Sequence, residues 1–251
     1  MPPFNLREPV SALTHALGLA AALPTTWLLI RAAMKRPTTD PAARGFQNAK
    51  IASLAAFGIG MAACYAGSVA YHAIPGDERT VDLLRRLDML GIFLLIAGTF
   101  TPVAWVLMRP WPRRGVMVVA WGVSSVCGAA MAVGLPFPTW LATSIYLALG
   151  WGGALCYLEM RRNHDRRTLR FLPIGGALYS LGAVVNLTHA EFATGLAAHE
   201  VFHLFVLAGT AAHVAFLFQV AVPAPAPASR VNVLRPGLPR ERRRRQVRID
   251  A

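Results

Sequence analysis

The chain has 251 residues, of which 55% are apolar and only 15% charged, with a net charge of +13. Soluble domains carry about 25% charged residues, so this composition excludes an ordinary soluble globular protein. A hydrocarbon core of about 30 Å takes roughly 20 apolar residues per helix, and seven such runs stand at about 11–30, 51–72, 87–108, 115–135, 139–160, 171–189 and 198–222.

The pattern predicts an all-α, polytopic membrane protein with seven transmembrane helices over 1–222 and a tail over 223–251. Helix one is expected to stay in the mature chain, because it lacks the basic leading region of a cleaved signal and carries His15 in its first turn. Helix two ends GSVAYHAIPGD, which puts Ser68 and His72 four residues apart on one helical face. Helix three opens RRLDMLGIF, with Asp88 about one turn inside. Cys64, Cys127 and Cys156 fall mid-helix without CxxC spacing and read as reduced packing residues. Helix six closes on Asn186 and His189. The six tryptophans read mostly as an interfacial belt or lipid-facing residues.

Helix seven opens AHEVFH, which spells HExxH, the pattern of helical zinc proteases. Soluble zincins take their third ligand downstream, but only the tail follows here, so a third ligand must come from upstream. Glu200 points about 100° away from His199 around the helix, and pairing with Arg85, Arg86 or His15 is expected of it in preference to a role as base.

Basic residues sort by side. Arg31, Lys35, Arg36, Arg44 and Lys50 follow helix one, Arg109, Arg113 and Arg114 follow helix three, and Arg161, Arg162, Arg166, Arg167 and Arg170 follow helix five. Eight arginines lie after helix seven. The positive-inside rule then gives N-terminus out and C-terminus in. The tail starts Pro/Ala-rich and ends in an arginine cluster without interleaved aromatics, which predicts a disordered extension lying on anionic lipid headgroups and no nucleic-acid partner.

Ionisable groups inside a membrane are costly and mark functional sites. In a seven-helix serpentine the end of helix two and the starts of helices three and seven share one side, so His72, Asp88, His199 and His203 come to one depth in the outer half of the bilayer. Three neutral imidazoles and an open fourth position are the donor set of a catalytic zinc, with Asp88 and Ser68 as base and orienting groups. Glu8 and His15 lie at the mouth on this side, as gating groups or as an interfacial cap and a bundle-facing polar residue. His213 is expected to make a buried hydrogen bond to a neighbouring helix.

EPVSALTHALG at the N-terminus, SVAYH, LDMLGIFLLIAGTFTPVAW and HEVFHLFVLAGTAAHV together resemble the hemolysin III branch of the progestin and adipoQ receptor family, over roughly residues 5–218. The resemblance places the chain near the alkaline ceramidases and implies a multi-pass zinc protein of the bacterial plasma membrane. Carried over by position, it implies zinc ligands His72, His199 and His203 and a water-holding pair Asp88 and Ser68. Helix three commonly reads Asp-His in relatives, whereas Met89 follows Asp88 here. Two readings stay open: a metal-dependent lipid amide or ester hydrolase acting on a membrane lipid, or a pore-forming cytolysin, channel or membrane-state sensor with structural zinc. A bis-His haem protein fits worse, because the histidines share one depth around a carboxylate.

Overall fold

A computed structural model describes residues 6–35, 40–193 and 195–226. Seven helices long and apolar enough to cross a membrane follow one another: α1 (Pro9–Met34), α2 (Pro41–Ala73), α3 (Glu78–Leu107), α4 (Pro110–Ala132), α5 (Thr139–Met160), α6 (Arg166–Leu187) and α7 (Ala198–Ala221). No strand occurs among the described residues. Two helices are much longer than their apolar runs, since α2 gains a polar first turn capped by Asp40 and α3 gains one capped by Asp77. Arg79, Arg85 and Arg86 therefore stand on a helix, not in a loop. Hydrogen bonds from Thr80 hold the Asp77 carboxyl below the usual carboxylate range.

Large apolar side chains on the outside of the bundle, among them Leu17, Leu23, Val118, Val126, Leu155 and Leu158, are exposed. In a bilayer these positions face lipid, so the exposure is a solvent match and no defect. Trp121 departs from the belt: its Nε1 donates to Thr101 Oγ1 at 3.1 Å and ties α4 to α3. The last turns of α3 and α7 widen into π turns at Val103–Leu107 and Leu217–Ala221, the first of them just beyond Pro102, where the missing N–H disrupts the regular ladder.

Without a hydrophobic drive between helices in lipid, close packing comes from small residues. Gly60 and Gly67 on α2 and Gly91 and Gly98 on α3 form such a seam, each set seven residues apart. A Cβ on any of the four would come within 3.0 Å of the facing helix: of Leu94 O, Leu87 O, Cys64 Cα and Ala56 O respectively. The backbones touch, which fixes the end of α2, with Ser68 and His72, against the start of α3, with Asp88.

Both ends of the bundle are stitched by polar contacts. At the site's end, the Glu8 N–H donates to His72 O at 2.9 Å. Arg86 reaches Met131 O at 2.8 Å and Arg85 reaches Phe137 O at 3.3 Å, closing α3 on the α4–α5 loop. At the other end Arg109 clasps Glu159 through both carboxylate oxygens, at 2.5 and 3.1 Å. Gln47 Nε2 donates to Ala33 O, and the buried Lys50 donates to Val222 O (3.1 Å) and Ala224 O (2.6 Å). Lys50 is thus a helix residue that holds the chain leaving α7 and not a loop charge. The arginine-rich part of the expected tail, residues 227–251, lies outside the described residues.

Candidate metal centre

His72, at the last turn of α2, meets His199 and His203, in the first turns of α7. The Nε2 atoms of His72 and His199 are 3.2 Å apart, and those of His199 and His203 are 3.1 Å apart. His72 and His203 are each 1% exposed.

The opposite edge of each ring decides what these nitrogens can do. His72 Nδ1 lies 2.6 Å from Glu8 Oε2. His199 Nδ1 lies 3.1 Å from Asn186 Oδ1. His203 Nδ1 lies 3.3 Å from both Ser11 O and Thr14 Oγ1, whose own hydrogen is given to Ser11 O. Every one of these partners is an acceptor. Each Nδ1 must therefore carry the ring proton and donate it, which leaves three bare Nε2 lone pairs facing one another. Lone pairs this close repel, and a cation between them converts the repulsion into coordination. Tetrahedral Zn–N bonds of about 2.0–2.1 Å put ligand nitrogens about 3.3 Å apart, close to the two separations above, and all three ligand atoms lie within 4.8 Å of one another. The three histidines could hold a metal ion, and imidazole nitrogen suits zinc, copper, iron or nickel.

Glu8, Asn186, Ser11 and Thr14 fix the three rings through their Nδ1 atoms, the kind of partner a metal-bound histidine takes. Glu8 is more than a cap at the mouth, because its backbone grips His72 O while its carboxylate grips His72 Nδ1. Sequence reading placed Glu8 and Asn186 on this side without assigning them to a ring nitrogen, and it passed over Ser11 and Thr14. The one available signal was their i,i+3 spacing on a helix facing two histidines.

His15 stacks flat on His203, with ring centroids 3.7 Å apart and planes 5° from parallel. Both its ring nitrogens are buried without a partner. Asp88 lines the same cavity as His72 and His199 and interacts with Ser68, although the buried Ser68 hydroxyl completes no well-formed hydrogen bond. Asp88 stands outside the group of mutually close ligand atoms, which holds the three histidines alone. Unpartnered polar atoms on His15 and Ser68, beside three convergent lone pairs, fit a metal with its remaining ligands better than a dry core.

Glu200 is excluded from the cluster by its own helix. Its Oε2 accepts the Ala197 N–H at 2.8 Å, capping the start of α7. The expected pairing with Arg85 or Arg86 is not made, since both bind Asp82, at 2.9 and 2.7 Å. The three cysteines are buried and free.

A cavity of about 1530 Å³ leads away from the cluster, walled by α3, α5, α6 and α7. Its walls are mainly aliphatic and aromatic, with Ile92, Ile96, Leu147, Trp151 and Phe202 among them, while Glu8, Asp88, His72 and His199 stand at its metal end. A volume of this size exceeds the roughly 300–1,000 Å³ of ordinary small-ligand pockets and suits a long apolar molecule with a polar end.

The fold and cluster together define a seven-helix membrane protein with a three-histidine cluster that could hold a metal ion and that opens on an apolar cavity. The chain belongs to the haemolysin-III related family, whose sequence model matches residues 5–214. It is similar to the hemolysin-3 homolog of Bacillus subtilis (strain 168), 27% identical over 219 residues that span 83% of this chain and 92% of that protein. Hemolysin-3 of Bacillus cereus is 26% identical, covering 84% and 90% of the two chains. The adiponectin receptor protein of Drosophila melanogaster is 26% identical over 80% of this chain and 47% of its own length.

Proposed function

We propose that the chain is a zinc-dependent hydrolase of a membrane lipid amide or ester, seated in the bacterial plasma membrane with its N-terminus and metal site toward the outside. The observation that carries the metal reading is the set of three Nδ1 donors, which leaves three Nε2 lone pairs within 4.8 Å of one another. The hydrolase reading adds the apolar cavity, which would take the chains of a lipid and bring its carbonyl to the metal end. Zinc bound to the three histidines would supply Lewis acidity and an activated water at neutral pH.

The residues of the chain then divide the work. Glu8, Asn186, Ser11 and Thr14 keep the imidazoles in the ligating tautomer. Asp88 accepts the proton of the attacking water and returns it to the leaving amine or alkoxide, a contribution of about 10² to 10⁴ in rate. Ser68 orients that water or donates to the developing oxyanion. The aliphatic walls exclude bulk water. On the other face, the arginines of 227–251 would supply positive charge for anionic lipid headgroups, with no nucleic-acid role.

Asp88→Asn separates this reading from its rival. The variant should keep its metal and fold, since an amide still hydrogen-bonds, and it should lose hydrolysis of ceramide-like or phospholipid substrates, since an amide accepts no proton. A second reading, lysis by a protein with structural zinc, is favoured by the name hemolysin given to the Bacillus relatives. In that case Asp88→Asn should behave as wild type in liposome leakage. Normal zinc with unchanged hydrolysis, or leakage without hydrolysis in wild type, would overturn the enzyme.

A further inference from the structure

His213 is the one remaining histidine on α7, ten residues beyond His203, so about 15 Å further along the helix. It is 7% exposed and lines the same cavity as His199 and Asp88. Its Nε2 lies 3.2 Å from Leu172 O on α6. A carbonyl can only accept, so Nε2 carries the proton and Nδ1 is a bare acceptor. Nδ1 is buried without a hydrogen-bond partner. The position is built to hold the ring: Gly175 faces it, and a Cβ there would run into the His213 imidazole and approach Gly209 O to 3.0 Å.

Several hydroxyls on the cavity wall are committed elsewhere, and the Tyr157 hydroxyl, which also lines the cavity, makes no hydrogen bond to this acceptor. Thr99 donates to Leu95 O, Ser180 to Gly176 O and Thr143 to Thr139 O. Tyr179, whose ring lies 5.4 Å from that of His213, is hydrogen-bonded to Thr210 Oγ1 at 2.8 Å. Thr210 donates its own hydrogen to Val206 O, so Tyr179 gives its proton to Thr210. An orphaned acceptor in an apolar wall costs about 1–3 kcal/mol, and among the described residues the other unpartnered buried side-chain atoms belong to Arg7, His15 and Ser68, near the start of α1 or at the metal centre.

We infer that His213 Nδ1 is the distal anchor of the cavity, accepting a hydrogen bond from a hydroxyl carried partway along the lipid chain whose polar end sits at the metal. From His203 the separation is about 15 Å and from His199, which lines the cavity, about 21 Å; an extended chain advances about 1.2 Å per bond, so this corresponds to roughly 12–17 bonds. The ligand class is a long-chain acyl lipid hydroxylated from about its twelfth carbon outward. This rests on the lipid-hydrolase reading for what fills the cavity, but it is a statement about binding and does not require turnover.

The probes are 12-hydroxystearate, 2-hydroxystearate and stearate, bound to purified full-length protein in detergent and followed by calorimetry. Wild type should bind the 12-hydroxy acid about five-fold more tightly than either other acid, the worth of one net hydrogen bond. His213→Phe should abolish the preference while stearate affinity and metal content stay put, and His213→Gln, which keeps an acceptor, should retain part of it. Equal affinities in wild type overturn the inference even where His213→Phe fails to fold, and so does a preference that survives in His213→Phe. Preference without hydrolysis would sink the enzyme and spare the anchor. Hydrolysis with equal affinities would do the reverse.

Discussion

Glycine is used in two opposite ways in this bundle. Between α2 and α3, Gly60, Gly67, Gly91 and Gly98 each face backbone of the other helix, and the absent side chains let the helices touch. Across α4 and α5, Gly122, Gly150 and Gly152 meet nothing within 4 Å, nor does Gly176 on α6. The tight seam carries His72, Asp88 and Ser68 and holds them to the precision a metal and its base require. α5 and α6 wall the cavity together with α3 and α7, where space is needed. On α6 both uses occur, since Gly175 and Gly182 meet His213 and Phe205 of α7 while Gly176 meets nothing, so the contrast is between packed and open glycine positions.

The largest expected effect breaks the tight seam. Gly91→Leu drives a side chain into the Cα of Cys64 and should destabilise by about 3 kcal/mol or more, read as a fall in the thermal midpoint in detergent. It should also reduce metal content, because the end of α2 moves with the seam. Lys50→Met comes next: it leaves Val222 O and Ala224 O without their donor, and a cost of about 1–3 kcal/mol should appear in the same assay, with metal content unchanged. Glu8→Ala and Asn186→Ala leave the fold intact and release one ring each. Both should weaken zinc affinity about 10–100-fold in competition with a chelator. Smallest is Gly152→Ala at an open position, expected to be neutral or stabilising by up to about 1 kcal/mol. A Gly152→Ala as damaging as Gly91→Leu would erase the contrast between packed and open glycines.

Orientation sharpens the comparison from outside. A reporter active only in the cytoplasm should work when fused after Val222 and stay silent when fused before Glu8, which would put the metal centre on the outer side. The reverse result would turn the site to the cytoplasm without changing its chemistry.

Much of this was legible in the sequence because a membrane makes composition informative. Seven apolar runs became seven helices, since backbone in lipid has no other way to satisfy itself. His72, His199 and His203 could be grouped because an ionisable residue there stands out and a serpentine fixes which helix ends are neighbours. What sequence could not give was the partner of each ring. Glu8 and Asn186 are polar residues near a helix end, and that position alone is equally consistent with a cap, a gate or a ligand orienter. The choice depends on distances of 2.6 and 3.1 Å that no spacing rule encodes. Glu200 was judged by its angle on the helix, which excluded it as a ligand but named the wrong partner, because N-terminal capping of α7 competes with any ion pair. The cavity was invisible, since a wall of Ile, Leu and Trp reads the same facing lipid or facing a void.

The central claim is that three proton-free Nε2 atoms bind a metal. Elemental analysis of purified wild type, His72→Ala, His199→Ala, His203→Ala and Glu200→Ala tests it most directly. The account predicts about one zinc per chain in wild type and in Glu200→Ala, and loss in each of the three histidine variants. Undiminished zinc in His72→Ala, or none in wild type prepared without chelator, would contradict it.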